Sequence, residues 1–228
     1  MRPSDLDLSR RVPLFRDLPP ALVDQLMHGT FVQTLPRGTM LCRQGEMPEF
    51  LHVVLSGRVA LVGEGGHHEE TVVEFFEAGD VLIAPAVMLE APYLMSARVA
   101  LEARVLFIPA TQLRRALKLE PALSYAMAMQ LAAYWRRLIQ QIKDLKLHTS
   151  TERLATFLVG LAADDTGEAR VELPEDRKVV ATRLGMTPES LSRAFASLRV
   201  IGVAGRGRQV SIASVDRLRE SCQYDGIR

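Results

Sequence analysis

The chain has 228 residues, 48% hydrophobic and 24% charged, with a formal net charge of +1. Such a length and apolar content describe a folded, soluble chain of two modest domains and exclude intrinsic disorder. Its apolar runs, such as VLIAPAVML from Val81, are too short for a bilayer span, and no basic n-region opens the chain, so no membrane partner and a cytoplasmic location are expected. Cys42 and Cys222 lie far apart without a CxxC spacing, which predicts two reduced thiols and neither a disulfide framework nor a thiolate metal site.

In chain order, Leu14 to Met27 predicts a short helix started by Pro19 and Pro20, since proline is tolerated in a first helical turn. From about Thr30 to Pro109 the period changes to short runs rich in Val, Leu and Phe, separated by glycines at 38, 45, 57, 65, 66 and 79. Short strands with regular turn signals predict an antiparallel roll or barrel. After Pro109 the pattern is helical. Leu131, Trp135, Leu138, Ile142 and Leu145 recur at spacings of four, three, four and three, the seam of a coiled coil, which predicts a dimer interface or, alternatively, packing of the stripe on the chain's own strand domain. A helix from about Pro121 to Leu147 would span roughly 40 Å at about 1.5 Å per residue.

Ser150 to Ala162 predicts a further amphipathic helix capped by Ser150 or Thr151, followed by a polar break, DDTGEARVELPED. The stretch RKVVATRLGMTPESLSRAFASLRVIGV then reads as helix, turn at Gly185, and a second helix entered through Thr187 and Pro188 and stopped at Gly202. That is a helix-turn-helix pattern. VAGRGRQVSIAS reads as a two-stranded wing turned by Gly205 and Gly207. The fold class is therefore α+β, in three parts: a roll over residues 1–120, a dimerisation helix over 121–148, and a winged helix-turn-helix over 149–228.

Charge is sorted along this plan. Between Arg177 and Arg208 stand seven basic residues (Arg177, Lys178, Arg183, Arg193, Arg199, Arg206, Arg208) against the single acid Glu189, a difference of +6 within a chain of +1. A basic segment in a near-neutral chain marks either a polyanion site or a solvated helix face. Glu189, Ser192 and Arg193 share one face at the start of the second helix, where Glu189 and Arg193 at i,i+4 can also pair with each other, with or without a base-reading role. Arg193 can give two hydrogen bonds to a guanine edge, a contact worth roughly 1–3 kcal/mol of discrimination. Glu189 can accept from a cytosine amino group, and Ser192 can reach a base or a thymine methyl.

Taken in order, these parts resemble the CRP/FNR superfamily of bacterial transcription regulators. The resemblance rests on RGTMLCRQGEMPEFLHVVLSGRVAL and EAGD in the roll and on TRLGMTPESLSRAFASLR in the last third. It implies a homodimer with a sensory roll, a long dimer helix, a recognition helix for the major groove, and RNA polymerase as a partner. The E-x-x-S-R arrangement is similar to the FNR-type reader, which implies a TTGAT-like half-site within an inverted repeat, with Arg177, Lys178, Thr187, Ser190, Arg206 and Arg208 then candidates for phosphate contacts, which fix register without reading sequence.

The sensory cassette departs from the nucleotide-binding pattern. Where the resemblance calls for Gly-Glu after Gly79-Asp80 and Arg before Ser96-Ala97, this chain has Ile83, Ala84 and Met95. A cyclic phosphate enclosed without its arginine would leave a charge unpaired, at a cost of about several kcal/mol, so cAMP is not expected. The cassette, with Ile83, Ala84, Met88, Met95 and Ser96 as its effector-pocket candidates, is apolar and suits haem, another hydrophobic ligand, or core filling. By resemblance, nitric-oxide-responsive denitrification regulators combine this reader with no cluster, and some bind haem. An iron–sulfur cluster is excluded, because it needs four cysteines. His28, His52, His67, His68, His148, Met88 and Met95 are the candidate axial ligands, and no metal ligand set is assigned. A redox switch at Cys42 is the alternative. No catalytic constellation is present, since GEGG at Gly63 lacks the Lys-Ser/Thr of a P-loop, so the chain is not expected to be an enzyme. A non-DNA regulatory subunit would keep the roll but has no use for TPESLSR.

Overall fold

The computed structural model describes residues 8–64, 70–162 and 166–222. It divides into two compact units, Met1–Trp135 and Arg136–Arg228. In the first, two short helices, α1 (Pro13–Arg16) and α2 (Pro20–Met27), precede the strands β1 (Phe31–Leu35), β2 (Met40–Cys42), β3 (Phe50–Glu64), β4 (Glu70–Phe76), β5 (Val81–Leu82) and β6 (Ser96–Pro109). All pairings are antiparallel: the main path runs β1-β6-β3-β4, with β2 on β6 and β5 on β3. The expected roll is present.

Its spine is the long pair β3–β6, in register from Phe50 opposite Pro109 to Val62 opposite Ser96, with shifts around Ser56–Arg58. Gly57 sits in that irregular stretch at φ +82°, and a β-carbon there would collide with the Glu102 carbonyl. Only glycine permits both the conformation and the approach. The buried residues form two clusters. One joins α1 and α2 to Leu51, Val53, Leu106 and Ile108; the other gathers Cys42, Val54, Phe76, Leu82, Tyr93, Ala97 and Val105.

Helix α3 (Ala84–Leu89) lies between β5 and β6, and α4 (Ala110–Leu119) leads into α5 (Pro121–Leu147). Leu123 and Met127 of α5 are fully buried in the first cluster, so the start of this helix belongs to the core of the roll.

The second unit holds α6 (Ser150–Leu161), β7 (Ala169–Glu172), α7 (Arg177–Arg183), α8 (Pro188–Leu198), β8 (Val203–Arg206), β9 (Gln209–Ile212) and α9 (Val215–Ser221). Its core collects Leu154, Leu158, Val180, Leu191, Phe195, Leu198, Val210 and Leu218. Two local readings change. The cap of α6 is Thr149 rather than Ser150 or Thr151, in a reciprocal capping box with Glu152, whose carboxylate is held below its usual range by the Thr149 backbone N–H and then by its hydroxyl. Within the polar break, Ala169–Glu172 is a strand that pairs with β9, so the wing strands β8 and β9 belong to a three-stranded sheet with β9 at its centre. ARVE is too short for its alternation to stand out, and its partner β9 lies about forty residues on.

Candidate DNA interface and sensory cassette

The recognition helix α8 is built from its start. Thr187 is the N-cap, its hydroxyl accepting from the Ser190 N–H at 3.2 Å, and Pro188 occupies the first turn. Leu191, Ala194, Phe195 and Leu198 are buried at spacings of three, one and three, which turns Glu189, Ser192 and Arg193 out to solvent. The helix ends through a 3-10 turn, Arg199–Ile201, at Gly202 with φ +89°. The Glu189 carboxylate is kept below its ordinary pKa by its own backbone N–H, then by the Thr187 hydroxyl, with a smaller contribution from Arg193. It is therefore an acceptor at neutral pH. Among the described residues the Arg193 guanidinium has no hydrogen bond or ion pair, so its full fork faces outward.

The turn before α8 is tied down by Arg153. Its guanidinium donates to three carbonyls: Nε to Leu184 at 2.9 Å, Nη1 to His148 at 2.7 Å, and Nη2 to Gly185 at 3.3 Å. The residue following α5 and the helix-turn-helix turn thus share one arginine. Sequence reading did not single Arg153 out, because its partners are backbone atoms up to 32 positions away.

The expected phosphate contacts divide into two groups. Lys178, Thr187 and Arg206 are exposed, and Ser190 is half-buried beside its cap. Arg177 and Arg208 are engaged within the chain instead. Arg177 donates to the Gly207 carbonyl at 2.9 Å and lies over the Phe195 ring at 4.3 Å. Arg208 donates to the Leu173 and Pro174 carbonyls and pairs with Glu172 at 3.1 Å. Spacing alone does not reveal this, since both carbonyl sets come from distant loops.

The residues of the expected seam on α5 differ in burial. Leu131 packs on the core of the roll, Leu138 is half-buried, and Leu145 lies against Gly185. An exposed apolar line runs through Tyr125, Ala128, Ala132, Trp135, Ile139, Ile142 and Leu145, at spacings of three, four, three, four, three and three. It shares Trp135, Ile142 and Leu145 with the expected seam. The two lines lie side by side on one helix, and Leu123, Met127 and Leu131 pack on the core of the roll.

In the cassette, Ile83 is the N-cap of α3 in the left-handed region at φ +48°, and Glu90 closes the helix at φ +52°. A β-branched residue at that φ is strained. Ala84 and Val87 are buried in the core, Met88 is partly exposed, and Met95 is half-buried against the second cluster. The Ser96 hydroxyl accepts from the Gln44 N–H at 3.0 Å. Arg114 of α4 braces α3 from outside, donating to the Val87 carbonyl at 3.3 Å and pairing with Glu90. Phe76 stacks with Tyr134 of α5, with ring centroids 6.1 Å apart.

Among the titratable groups, His52 is buried edge-on against Phe107, and burial lowers its pKa to about 4. His28 is exposed, and His148 is at the end of α5. His67 and His68 lie outside the described residues. Burial pushes the Cys42 thiol up to about 11, and Cys222 is also raised by burial. Burial thus favours the neutral thiol, the less reactive form, at both cysteines. Among the described residues, no group of three or more His, Cys, Asp or Glu could hold a metal ion, and no helix is long and apolar enough to cross a membrane.

Comparison with known proteins follows the same division. A cyclic nucleotide-binding domain model matches residues 32–120, and a Crp-like helix-turn-helix domain model matches residues 152–221. A Ruegeria pomeroyi protein of known structure, described as cyclic-nucleotide binding, is 30% identical with a TM-score of 0.61; the match covers 98% of this chain and 100% of that one. The CRP-like cAMP-activated global transcriptional regulator of Mycobacterium tuberculosis is 23% identical over 93% of this chain and 97% of its own length. The transcriptional activator protein FnrA of Stutzerimonas stutzeri is 28% identical over 78% of this chain and 75% of its own. The chain belongs to the CRP/FNR family of transcription regulators, proteins that bind DNA as dimers and catalyse no reaction.

Proposed function

We propose that a homodimer of this chain reads an inverted repeat of TTGAT-like half-sites through Glu189, Ser192 and Arg193, with the roll answering to a largely apolar effector rather than cAMP. The observation that carries the DNA reading is the outward face of α8: an ionised acceptor, a hydroxyl and an unengaged guanidinium on a capped helix whose other face is buried. These are the groups that distinguish base edges in the major groove. Two copies joined along α5 would present two such helices to successive turns, roughly 34 Å apart. RNA polymerase is the downstream partner in this reading.

The effector reading rests on the cassette. Ile83, Ala84 and Met95 replace the ribose and phosphate partners that the nucleotide-binding pattern requires, and Ala84 and Val87 of α3 are core residues. A cyclic phosphate would meet hydrocarbon at these positions. Haem and nitric oxide are the first effectors to test, although the described residues fit haem poorly: His52 packs on Phe107 within the core, leaving the thioethers of Met88 and Met95 as donors at the cassette.

The deciding experiment is a shift assay on a palindromic TTGAT duplex and its scrambled counterpart, with and without haem, nitric oxide and cAMP. Selective binding that cAMP does not change supports the reading. Absence of binding by an intact dimer under every condition removes the half-site, and cAMP-dependent binding removes the effector reading.

A further inference from the structure

Seven basic residues between Arg177 and Arg208 look interchangeable in the sequence, yet the wing sorts them. Arg206 is exposed near the hairpin end, without a hydrogen bond or ion pair among the described residues. Arg177, at the first residue of α7, touches three elements at once. Its Nε donates to the Gly207 carbonyl at the wing turn, its guanidinium lies 4.3 Å above the Phe195 ring of α8, and its Nη2 is buried. A β-carbon on Gly205 of β8 would stand 2.8 Å from that Nη2.

We propose that Arg177 is a positioning residue that fixes the wing hairpin to the recognition helix, rather than a phosphate contact. The proposal rests on DNA binding by this domain. A phosphate partner requires N–H groups turned to solvent, as on Arg206; Arg177 turns Nε to a carbonyl and its face to a ring, where the quadrupole of Phe195 offsets its charge. Phe195 follows Arg193 by two residues, so the same ring that receives Arg177 anchors the base-reading turn. Glycine at 205 leaves room for the guanidinium. Arg208 braces the hairpin from the other side through Leu173, Pro174 and Glu172, which leaves Arg206 to meet the phosphate backbone.

The test uses the full-length protein and fluorescence anisotropy over a salt series, on the TTGAT palindrome and on a mixed-sequence duplex. Neutralising a residue that contacts phosphate lowers the slope of log K against log salt by about 0.9. Arg206→Gln is expected to do so on both duplexes. Arg177→Gln is expected to leave the slope unchanged while weakening the palindrome by about tenfold or more, the loss of one charge-assisted hydrogen bond. It should also speed amide exchange in β8 and β9.

Arg177→Lys keeps the charge and decides the matter if the glutamine variant does not fold. An ammonium can hold a phosphate but lacks the planar face and the Nε–H, so affinity should again fall and wing exchange rise. Wild-type affinity and exchange in Arg177→Lys, or a slope reduced by about one in Arg177→Gln, would overturn the proposal. If the wild type does not select the palindrome, the half-site fails, while the slopes on mixed-sequence DNA and the wing exchange still judge Arg177.

Discussion

The end of the Leu145 side chain occupies the space that a β-carbon on Gly185 would need. One residue stands near the end of α5, the other in the turn of the helix-turn-helix at φ +61°, and Arg153 ties the same two stretches together. Gly185→Ala therefore meets two penalties, a left-handed backbone and an overlap. It should destabilise the C-terminal unit by about 1–2 kcal/mol in urea unfolding, mostly through the left-handed backbone, since the exposed end of Leu145 can turn aside. Adding Leu145→Ala should relieve the overlap and leave the backbone cost. Unaltered stability in the single variant would contradict the geometry.

Arg193→Ala should lose preference for the palindrome over scrambled DNA by about 1–3 kcal/mol while leaving the scrambled duplex nearly untouched. The comparison is a pair of binding isotherms at one salt concentration. Equal losses on both duplexes would make Arg193 a phosphate contact.

Ile83→Gly should stabilise the roll. Isoleucine at φ +48° carries strain of about 1–3 kcal/mol, which glycine does not. Part of that gain is offset by lost side-chain packing, since Ile83 is half-buried against the second cluster. Thermal unfolding of the variant decides the sign, and a clear loss of stability would show that packing outweighs strain.

His52 gives the roll an acid limit. Its folded pKa, about 4, lies below the ordinary 6.5, so between these values the unfolded chain binds a proton that the folded chain refuses. Stability from this residue is intact above pH 6.5 and falls as pH drops toward 4, by about 1.4 kcal/mol per unit at most. His52→Leu should flatten that limb in urea midpoints measured from pH 7 to 4. An unchanged slope would mean that another group sets it.

Ile139→Glu places a carboxylate in the exposed line of α5 and should dissociate the dimer, as read by sedimentation. Trp135, 63% exposed in the single chain, belongs to the same line, and quenching of its fluorescence by iodide should rise in the variant. A dimer of unchanged stability would return the seam to Leu131 and Leu138.

Much of this protein is legible in its sequence because the determinants are local. The period of the strands, the Thr187-Pro188 start and Gly202 stop of α8, and the spacing of Glu189, Ser192 and Arg193 all act within a few residues of chain, where propensity, capping and helical pitch suffice. The replaced cassette residues are likewise legible, as a chemical absence. What the tertiary structure decided involves competition for partners from distant segments. Leu131 belongs to the roll because Leu123 and Met127 bury the adjoining face of α5. Arg177 and Arg208 spend their hydrogen bonds on carbonyls about thirty residues away, while Arg206, two positions from Arg208, stays exposed. Side chains of one kind carry the same charge and reach in the sequence, and only the folded chain settles which of them finds an acceptor, a ring or water.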